Sequence, residues 1–201
     1  CRRAPDAHGC IIAGRDQEAG GTWLGVNDHG VAAAILNRVG LLGPANNKKS
    51  RGILPLLALG QTNASEAAQA ICALDGKEFQ PFNMVIADAG GAIWIRWADV
   101  ESDEHPTAQA IPEGLHMLTA FDLDDPVSPR VTRHLPLFRA APVPDPDRNL
   151  WGDWMDRLAD RSRDDVNIES GAVLIEAPGG FATVSSSLIA LAGQPRRTIW
   201  K

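Results

Sequence analysis

Between Gly20 and Arg38 the chain reads GGTWLGVNDHGVAAAILNR, two short apolar runs separated by four residues that favour a reversal. Thr22 to Val26 and Val31 to Leu36 suit a pleated surface, and Asn27-Asp28-His29-Gly30 tolerates positive φ, so the spacing predicts a β-hairpin. The paired Gly20 and Gly21, and Gly25 inside the first strand, leave no side chain where other backbone or a ligand can approach. The hairpin closes on Asn37-Arg38, an amide and a guanidinium at a strand end, where sites tend to sit. A buried hairpin capped by a solvated Asn-Arg pair is the competing reading.

The rest of the chain is read around that hairpin. Cys10 to Ala13 is an apolar run that predicts a strand, and Gly40 to Lys49 is a loop of Gly, Pro and Asn. Ser50-Arg51-Gly52 leads into Ile53 to Leu59, where Pro55 fits only the first turn of a helix beginning near Leu54. Asn63 and Glu66 make a capping-box-like start to a helix whose apolar face is Ala67, Ala70, Ile71 and Leu74. Phe82 to Ala87 and Ala92 to Trp97 predict a second hairpin, with Ile93, Ile95 and Trp97 on one face and Trp94 and Arg96 on the other.

Beyond it, Asp99 to Gln109 reads as a surface loop and Leu115 to Thr119 as a strand. Ser128-Pro129 starts a helix that Pro136 is expected to end or kink. Pro142 to Asn149 is a proline-rich connector, and Trp151, Trp154, Met155 and Leu158 form the apolar stripe of an amphipathic helix. Ala172 to Ala177, Ala182 to Leu191 and Thr198 to Trp200 are expected strands. Hairpins interleaved with a few helices give an antiparallel α+β architecture, expected as a single domain over residues 1–201.

Composition narrows the chemistry. A net charge of −6 and a pI near 5.3 leave no electrostatic footprint for nucleic acid, and no apolar run approaches the length of a membrane span. Cys1, Cys10 and Cys72 are odd in number and lack CxxC spacing, which argues against a disulfide framework or zinc site and for a reducing cytoplasm. The five histidines show no paired metal spacing, and neither a metal nor another cofactor is expected. Ser185, Ser186 and Ser187 lack a Gly-x-Ser-x-Gly elbow and read as small residues on a packed strand. Trp23 is expected in the core and Arg38 on a rim, so that Trp23→Ala should cost more stability than Arg38→Ala.

The GGTWLG block, followed in order by SRGIL (50–54), PFNMVIAD (81–88), LTAFDLDDPVSPR (118–130) and FATVSSSLIAL (181–191), resembles the NRDE family, which includes the transport and Golgi organisation protein 2 group. The resemblance covers residues 11 to 200. It implies the four-layer αββα sandwich of the N-terminal nucleophile hydrolases, with mostly antiparallel sheets. VNDHGVAAAILN is also similar to a run of the choloylglycine hydrolases that ends on an oxyanion-hole asparagine, and Asn37 falls at that position. In such enzymes a thiolate attacks an amide-type carbonyl while the free α-amine takes the proton. On this resemblance the pocket comprises Gly20, Gly21, Thr22, Trp23, Arg38, Ser50, Arg51, Thr119 and Asp122, with Asn37 as oxyanion donor.

Two departures stand against that pattern: Leu118-Thr119-Ala120 replaces an LTN step, and Ala182-Thr183-Val184 replaces a GTR step. The family's Asn-Arg-Asp-Glu motif is not found, and Arg2 to Gly9 is charged, proline-broken and loop-like. Cys1 therefore reads first as a fragment start, with a mature nucleophile and a lipidated cysteine as alternatives. The chain is expected to be incomplete at both ends, its nucleophile lying upstream. Two functions follow: a cysteine amidohydrolase-like protein acting on a small amide or acyl substrate, or a non-catalytic lipid, acyl or haem carrier using the same pocket.

Overall fold

The computed structural model describes residues 9–17, 20–39, 47–98, 104–161, 171–175, 182–193 and 197–201. Readings made above for residues 1–8, 40–46, 99–103 and 176–181 lie outside them. The chain divides into two compact units, Cys1–Glu113 with Leu191–Thr198, and Gly114–Ala190 with Ile199–Lys201. Its class is α+β, as expected from the alternation of hairpins and helices.

In the first unit six antiparallel strands follow one another across a single sheet: β1 (Ile11–Ala13), β2 (Leu24–Asn27), β3 (Ala32–Asn37), β4 (Phe82–Asp88), β5 (Gly91–Trp97) and β6 (Thr107–Ile111). Both expected hairpins form, with Leu24 opposite Ala34 in the first and Phe82 opposite Trp97 in the second. Gly30 takes φ +80° in the first turn, which explains a glycine there. The turn is locked by Asn27, a fully engaged buried side chain. Its Oδ1 accepts from the His29 and Val31 amides at 3.0 and 2.9 Å, and its Nδ2 donates to the Leu59 and Gln61 carbonyls at 2.8 Å each.

One face of the sheet is covered by α1 (Ile53–Leu59) and α2 (Ala64–Cys72). Pro55 sits in the first turn of α1, where its missing N–H costs nothing. At α2 the Asn63 side chain accepts from the Glu66 amide at 2.9 Å, the expected cap, while the Glu66 carboxylate accepts from the Thr62 hydroxyl. The core between helices and sheet is Val31, Ala33 and Ile35 of the hairpin, Leu54, Leu59 and Ile71 of the helices, and Phe82, Met84, Ile86, Ile95 and Trp97 of the second hairpin. Trp97, 1% exposed, donates from Nε1 to the Phe79 carbonyl at 3.3 Å.

Two expectations for this unit are corrected. Residues 107–109, the end of the expected loop, belong with 110 and 111 to strand β6, because its Ala-Gln-Ala centre pairs with β5 while its side chains stay largely exposed and so carry no apolar pattern. Trp23 is 44% exposed rather than in the core. It precedes β2 at a bend, and its carbonyl, accepting from the Ile35 amide at 3.0 Å, is what the sheet uses. Gly21, by contrast, is packed so closely on Gly52 that a Cβ would lie 2.4 Å from the Gly52 carbonyl carbon. Gly21→Ala should therefore cost about 1–3 kcal/mol by overpacking, read as a fall in the urea midpoint, whereas Gly20→Ala is resisted only by its φ of +77°.

The second unit is built on α3 (Pro129–Ala140), capped by Ser128, whose hydroxyl accepts from the Val131 amide. Of the two outcomes expected of Pro136, ending the helix does not occur. The proline faces outward, and Leu135 and Phe138, buried on either side of it, carry the helix four residues further. The amphipathic stretch at 151–158 shortens to α4 (Trp154–Leu158), with Trp151 buried ahead of it and Met155 exposed rather than in the stripe. Trp154 meets Phe138 edge-on, ring centroids 5.2 Å apart.

Leu115 to Thr119 is not a strand. The Asp124 carboxylate accepts from the Met117 amide and the Asp124 amide donates to the Met117 carbonyl, closing a loop that occupies groups a ladder would need. Strand β7 (Ile189–Ala192) starts later than expected and pairs with β8 (Arg197–Trp200) in a two-stranded ribbon. Residues 171–175 carry no strand, and Ser185 and Ser186 are exposed rather than packed.

Candidate functional site

Chemistry-bearing residues gather at two places, one in each unit. In the first unit they lie where β3 ends and β4 begins. The register puts Asn37 opposite Phe82, so Asn37 shares the helix-covered face with Ile35 and Phe82. Its Oδ1 is buried without a hydrogen-bond partner. Next to Phe82, the Pro81 carbonyl accepts from Arg51 Nη1 at 2.9 Å. Burial pulls the Arg51 guanidinium below its ordinary value. Arg51 stands just ahead of α1, where Gly52 gives its carbonyl to the Thr22 amide at 2.8 Å, so Gly21, Thr22, Arg51 and Gly52 form one tightly interlocked corner. Thr22 turns its hydroxyl onto the Leu24 carbonyl, and Ser50 accepts the Gly52 amide, so both serve local backbone.

Arg38, one residue on, belongs to the opposite face. Its Nη1 donates at 2.8 Å to Asn83 Oδ1, the same oxygen that receives Trp94 Nε1 at 3.2 Å. Asn37 and Arg38 are thus neighbours in sequence that serve different sides of the sheet. The two cysteines described in this unit carry free thiols, and burial pushes that of Cys72 up, away from the thiolate a nucleophile needs.

The second unit holds a half-open cavity of about 330 Å³, at the small end of the ~300–1,000 Å³ usual for ligand sites. Its apolar wall is built by Leu135, Phe138, Trp154 and Val173. His116, Thr119, Arg130 and His134 supply polar groups, and among the described residues no carboxylate lines it. Thr119, expected in a pocket, is here, its hydroxyl donating to Ser128 Oγ at 3.1 Å. Asp122, expected beside it, does not reach the lining.

The imidazoles are the residues that sequence reading missed. His116 Nδ1 lies 2.5 Å from Asp124 Oδ2, while its Nε2 is buried and without a hydrogen-bond partner. His134 is fully buried on α3, its Nε2 on the Gly171 carbonyl and its Nδ1 3.7 Å from Asp160. Burial opposes ionisation of Asp124, but the Met117 amide, the His116 ring and the Arg139 charge outweigh it and hold the carboxyl below its usual range. A depressed acid stabilises the fold above its unfolded-state pKa and loses that contribution as pH falls through the folded one. Melting temperature should therefore drop on acidification below the ordinary aspartate range, and Asp124→Asn should flatten that limb. Asparagine accepts the φ of +56° that Asp124 adopts, so the comparison isolates the charge.

Among the described residues no group of three or more His, Cys, Asp or Glu is arranged to hold a metal ion, and no helix is long and apolar enough to cross a membrane. A family model described as Transport and Golgi organisation 2 matches residues 2–197. No curated protein matches the chain.

Proposed function

The chain belongs to the Transport and Golgi organisation 2 family, and from that premise we propose that it is a small-molecule-binding protein that holds a compact, mainly apolar ligand in the cavity of its second unit. The observation that carries this reading is the cavity itself: a half-open chamber with an aromatic and aliphatic wall and polar groups whose nitrogens are not all satisfied within the protein. A carrier-like role in the reducing cytoplasm fits the free thiols of Cys10 and Cys72.

The test is methyl NMR with 1-octanol and octanoate as probes. At least one probe should shift the Leu135 and Val173 methyls saturably, and Val173→Trp, which fills the space, should weaken that binding at least about tenfold while α3 and the sheet keep their chemical shifts. Shifts that avoid those methyls would remove the reading.

A second reading, amide hydrolysis of the cysteine N-terminal nucleophile type, is favoured by Asn37, whose side-chain oxygen is buried and unmatched at a strand end. It draws its nucleophile from outside the described residues. N-terminal sequencing of the natural product with iodoacetamide labelling tests it: a single strongly alkylated N-terminal cysteine supports it, and an unreactive or blocked N-terminus removes it.

A further inference from the structure

The cavity of the second unit is unsymmetrical in charge. Every ionisable side chain on its lining is a base, Arg130, His116 and His134, and among the described residues none is an acid. The carboxylates stand behind the imidazoles instead: Asp124 holds His116 Nδ1 at 2.5 Å, and Asp160 lies 3.7 Å from His134 Nδ1. A carboxylate on one ring nitrogen orients an imidazole, and a protonated imidazole donates from its other nitrogen. In His116 the other nitrogen, Nε2, is buried without a hydrogen-bond partner, as are His134 Nδ1 and Trp154 Nε1 on the same lining. The remaining wall is apolar.

We infer that the ligand of this cavity is a small organic carboxylate with an apolar body, and that His116 is the residue that anchors its carboxylate through Nε2, with Arg130 adding positive charge to the same chamber. The inference rests on the proposed binding role of the cavity and adds the chemical class of the ligand. On binding, the imidazolium is held between two carboxylates, Asp124 on Nδ1 and the ligand on Nε2, so a proton is taken up whenever the free protein holds His116 neutral. Other charges bear on the same pair: Arg139 acts on Asp124, and Arg133, 3.8 Å from Asp160, acts on the carboxylate behind His134. His134 differs from His116 in that its Nε2 is already committed to the Gly171 carbonyl.

The experiment is calorimetric titration of the whole chain with octanoate and with 1-octanol, matched in body and different in head, between pH 6 and pH 8.5 in buffers of different ionisation enthalpy. Octanoate should bind at least about tenfold more tightly than 1-octanol at pH 6.5. Its affinity should fall by up to about tenfold per pH unit above the histidine range, with proton uptake that approaches one, while 1-octanol shows neither effect. His116→Gln should abolish the proton uptake and most of the preference for octanoate while leaving 1-octanol unchanged. The proton uptake of the unmodified protein is informative even if that variant misfolds. Equal affinity for the two probes, or pH-independent octanoate binding, overturns the carboxylate anchor and leaves the cavity a binding site for neutral molecules. Failure of both probes to bind overturns the binding role together with the anchor.

Discussion

Trp97→Ala is expected to cost about 3–5 kcal/mol, the range for removing a fully buried large aromatic. The ring of Trp97 fills the space against Gly76, where a Cβ would come within 2.6 Å of it, it lies opposite Phe82 across the β4–β5 ladder, and its Nε1 satisfies the Phe79 carbonyl. Truncation opens a cavity in the centre of the first unit and strands that carbonyl. Trp23→Ala, at a half-exposed position, should cost no more than about 1 kcal/mol, within the range of ordinary surface substitutions and their neighbours. Urea unfolding of both variants, with unchanged slopes, checks the pair. A Trp23 effect equal to that of Trp97 would mean that the sheet's outer bend is buried.

Asn27→Ala should follow closely, at about 2–6 kcal/mol, because each buried group left without its partner costs roughly 1–3 kcal/mol and two of the four partners, the Val31 amide and the Leu59 carbonyl, are buried. The losses fall on two sides: the His29 and Val31 amides lose their acceptor within the turn, and the Leu59 and Gln61 carbonyls lose the donor that ties the end of α1 to the hairpin. Asn27→Asp separates them. It keeps the acceptor for the turn but brings a negative charge to the two carbonyls, so it should destabilise nearly as much, with hydrogen exchange accelerated first at the end of α1 rather than in the turn.

These two residues show what could be read in advance. Asn27 and Gly30 carry local turn chemistry, so the hairpin was legible from four residues, and so was the start of α2 from Asn63 and Glu66. The side of β5 on which Trp97 falls followed from alternation alone. Alternation does not say whether a face is covered, which is why Trp23 was placed in the core. Strand β6 was missed because Thr107 to Ala110 are exposed throughout and show no apolar period. Leu115 to Thr119 has strand-forming residues, but the Asp124 carboxylate took its backbone groups.

Of the candidate site, Asn37 and Arg38 stood out as polar residues closing an apolar run, and Thr119 entered through the resemblance alone. The cavity was not legible, because its wall is assembled from residues between 115 and 188 that share no spacing. His116 and Asp124 stand eight apart within a loop, where no period links them. The aspartates at 122, 124 and 125, six to nine residues after His116, were the one available hint.

The position of β6 at the margin of the sheet governs how the molecule behaves in a crowd. Among the described residues nothing pairs with its outer side, and its side chains carry no charge to repel a stranger. Such a margin is an open template for another extended chain. Here the template is short, five residues bracketed by Pro106 and Pro112, neither of which can donate a ladder hydrogen bond. A visiting strand finds too few rungs to hold, so at this margin the two prolines, rather than charge on the strand itself, stand against pairing with another chain.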